Sequence, residues 1–167
     1  IHRGFGDLRP APRAPFVTDD DADVTAALDE AERAEAVLLP ALLGLSSGPG
    51  HTVLVGRAVR WVHALRAELP GDAEFVAIDP ETRHWPESEG VSRMACGEGL
   101  PFFDRSIRGV LLDGPEVART HLVEAARIVA PRHRVVVLKP PSGAAEVLQQ
   151  AGLRDLRETE RVLAAGR

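Results

Sequence analysis

At 167 residues, with 44% hydrophobic and 27% charged side chains, the chain has the size and balance of one globular domain and too little length for two separate cores. Its net charge of −5, with arginine as nearly the only cation, excludes the broad positive footprint of a nucleic-acid binder. A single cysteine, Cys96, excludes an internal disulfide and points to a reducing, cytoplasmic setting.

Residues 1–16, from Ile1 to Phe16, carry Pro10, Pro12 and Pro15 among Arg3, Arg9 and Arg13, with few apolar side chains. Proline fixes φ and withholds a donor, so an extended arm is expected over 1–18, held either on its own domain or on a partner. Asp19, Asp20 and Asp21 then precede Val24, Leu28, Ala31 and Leu38 at helical spacing, which predicts an acid-capped amphipathic helix that Pro40 breaks or kinks. The apolar run 34–45 is interrupted by that proline and falls short of the roughly 20 residues that span a bilayer, so no transmembrane helix is expected. No signal peptide is expected either. Ser46, Ser47, Gly48, Pro49 and Gly50 read as a loop that closes a helical segment over 19–50 and opens the main domain, 51–167.

From there strands and helices alternate. Buried-type strands are expected over 52–55, 74–79, 91–95, 107–112 and 134–138, with helices over 59–69, 116–129 and 144–150. The first of these helices is stopped by Pro70 and Gly71, the second by Ala130 and Pro131, and the third by Gly152; residues 153–163 leave room for two short strands. This order implies an α/β domain of Rossmann-like, doubly wound type, with a mostly parallel sheet covered by helices on both faces.

Several segments, taken in order, resemble one family. Glu98-Gly99-Leu100-Pro101-Phe102-Phe103-Asp104 before the strand 107–112 is similar to the acid, Leu-Pro-Phe, Asp, apolar-strand sequence of class I S-adenosylmethionine-dependent methyltransferases. Glu124 to Pro131 and the strand after it resemble that family's helix, proline turn and fifth strand, and Ala151-Gly152-Leu153 looks like its last helix-to-hairpin passage. The resemblance covers residues 52–167. It implies a seven-stranded sheet whose last strand inserts antiparallel, and a ligand crevice at the carboxyl ends of the strands.

Within that resemblance the glycine turn is altered. Val55-Gly56-Arg57-Ala58-Val59-Arg60-Trp61 keeps only Gly56 of Gly-x-Gly-x-Gly, with Ala58 and Arg60 at the other two glycine positions. An arginine there is expected to fill the space of the cofactor's methionine portion, and Leu54 stands where the family places an acid for the cofactor's ammonium. Asp79 keeps the position of the ribose-binding acid, although an Asp-Pro turn accounts for it equally well. Cys96 replaces the acid on the adenine side and reads as a small half-buried residue rather than a nucleophile.

Asp113-Gly114-Pro115 is either substrate-contacting or turn chemistry. His51, His63, His84, His121 and His133 lack paired ligand spacing, so no metal site is expected. His84-Trp85-Pro86 reads as surface loop packing with pocket lining as the alternative. Arg57, Arg60 and Arg66 read as a solvated helix face that alternatively binds a phosphate or carboxylate.

The leading functional expectation is a non-catalytic methyltransferase-fold subunit that binds no cofactor and docks through its arm on a larger protein assembly, a membrane-bound one included. The alternative is an active small-molecule methyltransferase that binds S-adenosylmethionine through Gly56 and Asp79. A binder of some other nucleotide ranks last, because no phosphate-cradling turn is present.

Overall fold

The computed structural model describes residues 5–9, 28–45, 48–69, 71–97 and 99–167. Most of the expected arm (1–4 and 10–18) and the cap at Asp19 to Asp21 lie outside the described residues.

The sheet follows from residues that are buried on both sides. In β2 (His51–Val55), β3 (Glu74–Ile78) and β5 (Ile107–Asp113) nearly every residue is buried, as required of strands with helices on both faces. Alternate side chains enter two separate cores. Val53, Val55, Val76, Ile78, Val110 and Leu112 face α3 (Arg119–Ile128) and α4 (Ala144–Gln150). Leu54, Phe75, Ala77 and Leu111 face α1 (Glu30–Leu43) and α2 (Val62–Glu68).

Eight strands form one sheet, in the order β1-β4-β3-β2-β5-β6-β8-β7. The strands β1 (Phe5–Leu8), β4 (Val91–Cys96), β3, β2, β5 and β6 (Val129–Leu138) run parallel. β8 (Val162–Gly166) inserts antiparallel between β6 and β7 (Arg154–Glu158). The antiparallel insertion is the one expected. The sheet has eight strands instead of seven, because Phe5–Leu8 pairs with Arg93–Cys96 and extends the edge.

Three local expectations are corrected. The helix α1 starts at Glu30, where Asp29 accepts from the Glu32 amide at 2.8 Å and Glu32 accepts from the Asp29 amide at 3.2 Å, a reciprocal capping box. Pro40 does not break it: the helix runs on to Leu43 and ends at Gly44, whose φ of +69° closes the last turn. Burial of Leu39 and Leu43, worth about 1.5–3 kcal/mol each, outweighs the roughly 3 kcal/mol that an interior proline costs. Finally, β6 begins at Val129 rather than near 134. Ile107 pairs with Val129 and Gly109 with Arg134, and this register shift accommodates Pro131, which has no amide to donate.

Candidate active site

Three acceptor-rich strand ends lie side by side. Val55 pairs with Ile78 on one side and Leu112 on the other, so Gly56, Asp79 and Asp113 stand at one level on β2, β3 and β5. The order of the sheet reverses between β2 and β5, which is where open α/β sheets form a ligand crevice. The structure therefore brings the two expected site residues, Gly56 and Asp79, together.

Gly56 has φ +61°, a conformation glycine adopts without cost, and a Cβ placed on it would meet nothing within 4 Å. It opens a 3-10 turn, Gly56–Trp61, that runs directly into α2, and Ala58, Val59, Trp61 and Val62 bury that helical stretch against the sheet. No side-chain atom of Arg60 lies within 4 Å of the Gly56 Cβ position. Arg60 turns aside: its guanidinium bonds the Glu32 carboxylate of α1, lies 3.6 Å from Asp113 Oδ2, and sits 5.0 Å from the centre of the Trp61 ring. Trp61 donates its indole N–H to the same Asp113 oxygen at 3.2 Å.

Asp79 ends β3 and caps the 3-10 turn Pro80–His84, its Oδ1 accepting from the Glu81 amide at 2.8 Å. Burial pushes its carboxyl above the ordinary value, opposed by that amide bond. One oxygen is thus used by the turn, and the other has no donor among the described residues. Cys96 ends β4, one strand further out, and burial together with the nearby Glu124 charge pushes its thiol up to about 11.

The other candidates disperse. Arg57 reaches toward the end of β5, its Cδ 3.7 Å from where a Gly114 Cβ would stand, while Arg66 packs against Gly90, so Arg57, Arg60 and Arg66 share no face. Trp85 is buried beside His63, 5.5 Å between ring centres, rather than offered on a surface loop. His51 pairs with Glu74 at 2.9 Å and His84 accepts from Arg83 at 2.7 Å. Among the described residues no group of three or more His, Cys, Asp or Glu is placed to hold a metal.

Two features escaped the sequence reading. Arg93, in the middle of β4, is 3% exposed and donates to the carbonyls of Thr82 and Trp85, tying the turn after Asp79 to the sheet. Arg127 clamps the segment 100–104: it donates to the carbonyls of Leu100 and Phe102 at 2.8 Å each and to Asp104 at 2.7 Å, while pairing with Glu124 at 2.7 Å. Glu124 in turn accepts from the Leu100 amide at 2.7 Å.

No protein-family model matches the chain, and no curated protein matches it. Solved structures do. A SAM-dependent methyltransferase from Aquifex aeolicus matches with a TM-score of 0.57 at 13% identity, over 85% of this chain and 94% of the other. A SAM-dependent O-methyltransferase from Thermotoga maritima matches with a TM-score of 0.60 at 10% identity, over 80% of this chain and 64% of the other. The [4+2]-cyclase SpnF matches with a TM-score of 0.59 at 16% identity, over 82% and 63%. The chain has the class I methyltransferase fold.

The residues of this methyltransferase fold fit the adenosyl half of S-adenosylmethionine. Open space lies over bare main chain at Gly56, and Asp79 keeps an oxygen for a hydroxyl. On the methionine side Leu54 is wholly buried in the sheet, and the nearby Asp113 carboxylate is engaged by Trp61 and Arg60. Among the described residues no helix is long and apolar enough to cross a membrane.

Proposed function

We propose that the domain binds S-adenosylmethionine at the carboxyl ends of β2 and β3 and transfers its methyl group to a small acceptor. The observation that carries this reading is the open space over Gly56 beside the half-buried Asp79 carboxylate. The methyltransferases among the fold's neighbours support it. When bound, the cofactor supplies an electrophilic methyl group on a sulfonium. Asp79 accepts from the ribose hydroxyls with the oxygen that the Glu81 amide does not use. Gly56 allows close approach of the main chain, and Arg57, beside Gly114, borders the side from which an acceptor enters. Positioning of this kind supplies most of the acceleration in a direct displacement.

The test is calorimetric titration with S-adenosylhomocysteine, comparing the parent chain with Asp79→Asn. Asparagine keeps an oxygen for the Glu81 amide but offers the ribose an N–H in place of an acceptor. Saturable binding that falls at least about tenfold in the variant supports the proposal. No binding by the parent chain defeats it.

A second reading has its own observation. Asp113 is held by Trp61 and Arg60, which ties the crevice wall to α1 through Glu32. In this reading the domain is a non-catalytic subunit of a protein assembly, a membrane-bound one included, and docks through residues 1–16. Pull-down of one stoichiometric partner by the full chain, lost on deleting residues 1–9, together with no heat from S-adenosylhomocysteine, selects it over the enzyme.

A further inference from the structure

At the other end of the sheet from Gly56 and Asp79, a cavity of about 470 Å³ opens where the start of β6 meets the end of β8 and the start of β7. Its floor is small: Ala164 and Gly166 on β8, placed between β6 and β7 by the pairs Val136 to Ala164, Arg134 to Gly166 and Arg157 to Ala164. Small residues on the central strand give depth. Around them stand Arg132, Arg134 and Arg157, with Asp155 and Arg167 also in the lining.

Arg134 donates to the carbonyls of Ala41 and Leu42 at the end of α1, 3.3 Å each, so its charge meets only neutral acceptors. Arg167 donates to the Ala126 carbonyl of α3 at 2.8 Å, on the opposite face of the sheet from Ala164. No carboxylate of the described residues lies within ion-pair distance of any of the four arginines. Such a cluster gathers like charge in a chain of net charge −5, and a bound anion offsets it. Arg132, moreover, sits at φ +68°, where glycine would be at ease and a side chain is not.

We propose that this cavity binds a multiply charged phosphate borne by a small molecule. Forked guanidinium donors match phosphate oxygens two at a time, which a single carboxylate ligand would leave half used. The volume is that of a small-ligand pocket, and the overall negative charge disfavours a nucleic-acid backbone as occupant. The site is separate from the crevice at Gly56 and does not depend on methyl transfer.

The experiment is calorimetric titration of the full chain with pyrophosphate, with fructose 1,6-bisphosphate and with fructose, repeated on Arg157→Ala and on Arg132→Gly. The glycine variant removes a guanidinium and relieves the left-handed backbone together, so it stays folded. Saturable binding of an anion is expected, about tenfold weaker in each variant, with no heat from fructose. Pyrophosphate alone binding identifies a free anion as the source, and preference for the sugar bisphosphate identifies a phosphate ester. Absence of saturable heat from both anions, equal affinity in the variants, or fructose binding as well as its bisphosphate overturns the proposal.

Discussion

The Trp61 indole N–H donates to Asp113 Oδ2 at 3.2 Å, joining the helix after β2 to the last residue of β5 inside a wall where both side chains are almost fully buried. A buried carboxylate needs donors, and this one has Trp61 with Arg60 behind it at 3.6 Å. Trp61→Phe keeps most of the packing and removes the N–H, so it should cost about 1–2 kcal/mol in urea unfolding. Trp61→Ala adds a cavity and should cost about 3–5 kcal/mol. A phenylalanine variant as stable as the parent would mean that the bond contributes nothing.

The clamp at Arg127 predicts an acid-sensitive loop. The Arg127 guanidinium, then the Leu100 amide, hold Glu124 below the usual carboxylate range, while Glu124 and Asp104 raise Arg127. A depressed carboxyl contributes stability that is fully present above its unfolded pKa of about 4.3 and is lost as pH falls through the lower folded value. Glu124→Gln should therefore lower stability by about 1–2 kcal/mol at neutral pH, and the gap between variant and parent should close as pH drops below about 4. Melting temperatures across that range read it directly. Hydrogen exchange at residues 100–104 should speed up in Arg127→Lys, because a single ammonium cannot reach two carbonyls and two carboxylates together.

Gly56 and Asp79 allow stability and ligand binding to be separated. Nothing stands within 4 Å of a Gly56 Cβ, so Gly56→Ala should cost only the left-handed backbone penalty of about 1–2 kcal/mol while blocking S-adenosylhomocysteine. For Asp79 the sign is the reverse of Glu124. Burial raises its pKa, so the folded state holds the proton more tightly and loses stability as pH rises through the window between the unfolded and folded values. Asp79→Asn should accordingly be no less stable than the parent at neutral pH, whatever it does to affinity.

The alternating strands and helices were legible because both faces of the sheet are covered, and continuous apolar runs such as Val135, Val136 and Val137 have no other comfortable place. β1 was not. Phe5–Leu8 has no apolar periodicity of its own and is a strand only because β4 offers it an open edge. The capping box at Asp29 was legible in its glutamate three places on, Glu32, a spacing that Asp19 to Asp21 lack. Within the site, the level of Gly56 with Asp79 followed from strand spacing. The path of Arg60 did not, because its partners Glu32 and Asp113 lie far off in sequence. The spacing of Glu124 and Arg127 was a visible helical pair, but nothing in it announced the loop carbonyls that Arg127 also holds.

Cys96 offers a prediction that depends on burial more than on charge. Desolvation, with Glu124 as the lesser cause, pushes the thiol from an ordinary 9.0 up to about 11, which leaves about a hundredfold less thiolate at neutral pH. Since the thiolate is the nucleophile, iodoacetamide should alkylate the folded chain at least about a hundredfold more slowly than the urea-unfolded chain. Glu124→Gln removes only the smaller cause, so it should raise the folded rate modestly and leave most of the protection in place. If that substitution restored the unfolded rate, charge rather than burial would govern the thiol, and Cys96 would stand in a far wetter strand end than β4 provides.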